Sequence, residues 1–130
     1  MVEEPSAIDL AGLRFQIGIC EEVLRADPAD ADALRFLAHA YFAVGRQADG
    51  LAIDRRLTEL LPRDPRVRYN LACSCALLGR KEEALQRLRE AHELGFDDLG
   101  LLRRDPDLDS LREDPRYREI ERAMEGDQKA

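Results

Sequence analysis

Apolar residues recur along this chain at steps of three and four, the spacing that gathers them on one side of a helix. Leu34, Leu37, Ala38 and Tyr41 predict a helix from about Ala31 to Val44, and Leu51, Ile53, Leu57 and Leu60 predict a second from about Gln47 to Leu61. A third helix, Arg66–Leu78, repeats the first. Ala84, Leu85, Leu88, Ala91 and Leu94 define a fourth, Glu82–Leu94. Gly45 and Gly79 stand where a helix ends in the left-handed conformation, and Pro62 closes the second helix because it cannot continue one. Long β-branched runs are missing, so the expected class is all-α.

The pattern repeats at a fixed offset. Gly45 and Gly79 lie 34 residues apart, as do Leu37 and Leu71, Ala38 and Ala72, Arg46 and Arg80, Leu51 and Leu85, and Leu60 and Leu94. Each unit is a helix pair, with small residues (Ala38, Gly50, Ala72, Ala84) where two antiparallel helices must approach closely. The stretches Ala33–Pro62 and Tyr69–Gly95 resemble the tetratricopeptide repeat. They depart from it at Asp54 and Leu57, where an aromatic and Ala are usual, and at Phe96, which replaces the closing Pro. The resemblance implies a right-handed solenoid of antiparallel helix pairs that binds a protein or peptide in a concave groove lined by the first helix of each pair.

On this basis the chain divides into a flexible N-terminus (1–7), a half-repeat with only its second helix (8–27), repeats at 31–64 and 65–98, a helical cap (99–125) and a flexible tail (126–130). Ser6 and Asp9 suit a capping box at the first helix. Asp105-Pro106 and Asp114-Pro115 each pair an N-cap carboxylate with Pro at the first helical position, so each starts a short helix. Leu99, Leu101, Leu102, Leu108, Leu111, Tyr117 and Ile120 supply apolar surface to seal the last repeat, as the closing segment of many bacterial tetratricopeptide proteins does. The half-repeat leaves an apolar edge that a second copy could cover, so homo-oligomerisation is an expected alternative role. A further alternative is an accessory subunit of an enzyme complex.

Charge narrows the choice of partner. The net charge is −7, and a chain this acidic is repelled by phosphate backbones, so nucleic-acid binding is not expected. Residues 33–69 nevertheless carry +3, which leaves room for a local anionic ligand. No apolar run approaches the roughly 18 residues a membrane helix needs, and the acidic N-terminus is unlike a signal peptide; a cytoplasmic location without membrane attachment is expected. Cys20, Cys73 and Cys75 are odd in number and read as thiols of a reducing compartment.

Catalytic and metal chemistry find no support. Cys73 and Cys75 lack the paired Cys or His of a zinc site, and His39 and His92 stand far apart. Asp105, Asp107 and Asp109 resemble the start of a calcium loop, but Ser110 and Arg116 occupy the places of its Gly and bidentate Glu. No nucleophile–base arrangement and no cofactor motif occur. The binding candidates, implied by the resemblance, are Arg35, His39, Phe42, Arg66, Tyr69, Asn70 and Cys73. Arg35 and His39 are one turn apart, and Asn70 stands where related repeats that grip a peptide's terminal carboxylate use Asn. Arg35, His39, Arg66 and Asn70 together suit an anionic peptide end.

Overall fold

A computed structural model describes residues 7–129, with side chains from Asp9 onward. Ser6, and with it the expected capping box, lies outside the described residues. The protein is all-α: sequential antiparallel helix pairs, with no strand among the described residues. It comprises two compact units, one ending at Leu60 and one beginning at Leu61.

The first unit holds α1 (Ala7–Ala26), α2 (Ala31–Ala43) and α3 (Gln47–Leu60). Asp30 starts α2 by accepting the Ala33 amide at 3.0 Å, which satisfies one of the orphan donors of a helix N-terminus. Gly45 ends it: φ is +83°, and the Arg46 amide reaches back to the Tyr41 carbonyl at 2.7 Å. An L side chain resists that left-handed backbone, so Gly is the residue that allows the sharp reversal into α3. α2 packs on α3 and α1 on α2, and the packed helices bury Leu34, Leu37, Ala38 and Tyr41, Leu51, Ile53 and Leu57, and Ile17 and Leu24.

The second unit repeats the pair and extends it. Here α4 (Pro65–Leu77) and α5 (Lys81–Glu93) begin 34 residues after α2 and α3 begin, the same offset as in the sequence. Asp64 caps α4, accepting the amides of Arg66 and Val67, and Pro65 occupies the first turn, where its missing N–H costs nothing. Gly79, at φ +75°, turns the chain as Gly45 does. The pair is followed by α6 (Leu99–Arg104), a 3-10 helix (Pro106–Leu111) and α7 (Pro115–Lys129). Both expected Asp-Pro starts form: Asp105 accepts the Asp107 amide at 3.0 Å and Asp114 accepts the Arg116 amide at 2.8 Å. The first of them opens a 3-10 helix rather than an α-helix. The 3-10 helix packs on α4, and α7 packs on α5.

α7 continues to Lys129, past residue 125, where the sequence placed the start of a flexible tail. The Glu125 and Lys129 side chains pair one turn apart at 3.0 Å, and Gln128 donates to the Asp97 carbonyl at 2.6 Å, which ties this last turn to the unit. No helix among the described residues is long and apolar enough to cross a membrane.

Candidate binding surfaces

In the first unit Arg35 and His39 lie exposed, one turn apart on α2, with Arg35 3.7 Å from Asp32. Phe42 does not complete an open face with them. Its ring is half-buried over Gly50 of α3, close enough that a Cβ on Gly50 would stand 2.5 Å from Cδ2.

In the second unit the candidates separate into two groups. Arg66 is exposed near the start of α4, its guanidinium 5.8 Å from the Phe96 ring centroid and 3.9 Å from Asp98. It opens onto a cleft of about 520 Å³ that Phe96, Asp97, Asp98 and Gln128 also line. Asn70, one turn further on, is half-buried. Tyr69 and Cys73 are covered instead. Tyr69 is 1% exposed and Cys73 is 5% exposed, so neither lines an open groove as the sequence led one to expect.

What covers them comes from more than twenty residues away in sequence. The Tyr69 and Phe96 rings stack with centroids 4.2 Å apart and planes 9° apart. Tyr69 donates its hydroxyl to Asp105 Oδ2 at 2.7 Å, and Cys73 Sγ lies 3.7 Å from the same oxygen. The other oxygen of Asp105 holds the Asp107 amide. One carboxylate thus caps the 3-10 helix and ties it to α4. Burial first, then the nearby carboxylate charge, pushes the Cys73 thiol far above its ordinary value; burial also leads the upward shift of the Tyr69 hydroxyl. Both groups are therefore neutral at physiological pH, and Cys73 is not held as a reactive thiolate.

Cys73, Asp105 and Asp107 form a group whose ligand-type atoms all lie within 4.8 Å of one another. All three are already engaged: Asp105 uses both oxygens as described, Cys73 is a donor toward it, and Asp107 has a partner of its own. The cluster reads as a polar lock on α4, buried at Cys73 and half-buried at its two carboxylates, rather than a metal centre. Sequence reasoning missed it because Asp105 belongs to a different helix and the helical face of α4 alone cannot reveal a distant cover. The Pro106 that marks Asp105 as a helix start was the available signal.

Arg112 does the corresponding work for the C-terminal elements. Its guanidinium donates to the carbonyls of Leu102 and Asp105, each at 2.6 Å, and to the Tyr117 hydroxyl. It therefore joins α6, the 3-10 helix and α7. No protein-family model matches the chain, nor does any curated protein or solved structure.

Proposed function

We propose that the chain is a tetratricopeptide-type binding module that holds a peptide or protein partner through the first helices of its two pairs. The observation that carries this reading is the 34-residue recurrence: it relates the starts of α2 and α4, the starts of α3 and α5, and the left-handed Gly45 and Gly79. On this reading α1 is the second helix of an incomplete repeat, and the elements after Gly95 are a lid for the last pair. Two features support binding over catalysis: α2 exposes Arg35 and His39 while α4 exposes Arg66 with Asn70 half-buried beside it, and in the Tyr69–Cys73–Asp105 group Tyr69 and Cys73 are buried and held as protonated donors toward Asp105.

The cationic and amide character of these residues on each first helix favours an anionic peptide end. The test is anisotropy with a labelled peptide ending in two acidic residues and a free carboxylate. Reversing charge at Arg35 and Arg66 together (R35E/R66E) is expected to abolish binding. Unchanged affinity would end this reading.

A second reading, self-assembly through α1, rests on a specific row of apolar side chains. Phe15, Ile19 and Val23 fall one turn apart on one side of α1 and are 72%, 49% and 38% exposed. Sedimentation over a range of concentrations decides it: association that F15E removes would support a homo-oligomer, and a concentration-independent monomer would exclude one.

A further inference from the structure

A second concave feature lies within the first unit, on residues other than Arg35 and His39. α1, α2 and α3 converge around a cleft of about 310 Å³, floored by Leu24, Leu37, Tyr41 and Ile53 and rimmed by Arg25 and Arg56, with Glu21 at the side. The four floor side chains are buried, so the floor is set by core packing rather than by mobile surface groups. Its size is at the lower edge of the about 300–1,000 Å³ usual for ligand clefts, enough for one aliphatic side chain and its neighbours but not for a long acyl chain.

The charges around it are unequal in their freedom. Glu21 is engaged: its Oε2 accepts from the Tyr41 hydroxyl at 2.9 Å and lies 4.0 Å from Arg46, which also holds Asp49. Arg25 pairs with Glu22, both largely exposed, where an ion pair is weak and readily exchanged. Arg56 donates to the Pro28 carbonyl at 2.7 Å, a neutral acceptor that orients the guanidinium without cancelling its charge. The cleft thus presents an apolar floor beside an oriented cation, with a second cation nearby.

The geometry points to a docking site for an acidic–aliphatic peptide segment, in which a Leu-, Ile- or Val-like side chain rests on the Leu24–Leu37–Ile53 floor and a flanking carboxylate meets Arg56. Charge complementarity selects this occupant: an aliphatic segment without an acid leaves Arg56 unanswered, and an acid without the aliphatic group leaves the floor in water. The site stands apart from the α2 face carrying Arg35 and His39, and the two can be tested separately.

The experiment uses the whole chain and a labelled Glu-Glu-Leu-Glu-Glu peptide blocked at both ends, so that no free carboxylate terminus is present. Amide shifts in an NMR titration are expected at Leu24, Tyr41 and Ile53. Affinity is expected to fall about tenfold in R56A, the loss of a hydrogen bond to a charged group, and to fall again with salt. Because R56A also removes the tie to Pro28, the exposed R25S, which touches no core group, is the companion variant and is expected to weaken binding less but measurably. A peptide with Ala in place of Leu is expected to lose binding, while R35E/R66E is expected to retain it. Equal binding of the Leu and Ala peptides, indifference to both R25S and R56A, or shifts confined to the Arg35–His39 face would each overturn the proposal.

Discussion

The ring of Phe42 lies directly over Gly50, and a Cβ at that glycine would stand 2.5 Å from Cδ2 and 2.6 Å from Cε2 of the ring. The corresponding positions 34 residues on are Ala76 and Ala84, both buried. The first pair therefore meets large against absent, and the second meets small against small. Gly50→Ala gains about 1 kcal/mol of helix propensity but forces the ring aside, an overpacking cost of about 1–3 kcal/mol, so a net loss of stability is expected. Phe42→Ala in the same chain rebuilds the Ala–Ala arrangement of the second pair. A double-mutant cycle in urea should show coupling of at least about 1 kcal/mol; additive single effects would mean the contact is not felt.

The polar lock on α4 makes a chemical prediction. Cys20 is half-buried, whereas Cys73 and Cys75 are closed off, with the Cys73 thiol pushed further up by burial and by Asp105. In the folded protein a thiol reagent should modify Cys20 alone at an appreciable rate, although burial and Asp30 also raise that thiol. Cys73 and Cys75 should react only through opening of the structure. Tyr69→Phe keeps the stack on Phe96 but deletes the donor to Asp105, which should cost about 1 kcal/mol and speed Cys73 labelling. Rapid labelling of all three thiols in the unmodified chain would contradict the burial.

Arg112 makes three hydrogen bonds to three elements, so a flat, forked donor is needed there and a lysine cannot replace it. Arg112→Lys is expected to lower stability by about 2 kcal/mol, since hydrogen bonds involving charged groups contribute roughly 1.5–3 kcal/mol. Arg118→Lys is the contrast. That residue is half in solvent and pairs with the exposed Glu113, so the change should stay below about 1 kcal/mol. Equal effects of the two would remove Arg112 from its central place.

Much of the helical framework could be read from the sequence because its punctuation is local. Gly45, Gly79, Asp105-Pro106 and Asp114-Pro115 act through the backbone of their own few residues, and the helices begin or end beside them. The candidate surface was legible only in part. Arg35, His39 and Arg66 are exposed as their helical faces implied, since long polar side chains stay in water unless a distant partner intervenes. Tyr69 and Cys73 share a face with such positions, yet Phe96 and Asp105 cover them. That burial depends on contacts 27 to 36 residues away, which no helical wheel contains. Phe42 was misplaced for a similar reason: whether it faces outward depends on the missing side chain at Gly50.

Acid should loosen the second unit through Asp114. This buried carboxylate accepts from the Arg116 side chain and the Arg116 amide and lies 3.1 Å from Lys81 Nζ. The Arg116 guanidinium, the amide bond and Lys81 hold its carboxyl well below the usual carboxylate range, and Arg116 likewise lowers Glu82. An unfolded Asp titrates near about 3.9, so the folded group binds protons less readily than the unfolded one. The stabilising contribution is complete above that value and drains away as pH falls toward the folded group's lower pKa. Urea midpoints measured from about pH 6 down to about pH 2.5, which covers only the upper part of this window, should therefore begin to drop on the acid side. Asp114→Asn keeps an acceptor for the Arg116 amide and the start of α7, but it carries no charge. It should lower stability at pH 6 and flatten the acid limb, so that variant and parent converge as pH falls. An acid limb as steep in the variant as in the parent would show that the charge on Asp114 contributes nothing to holding α7 in place.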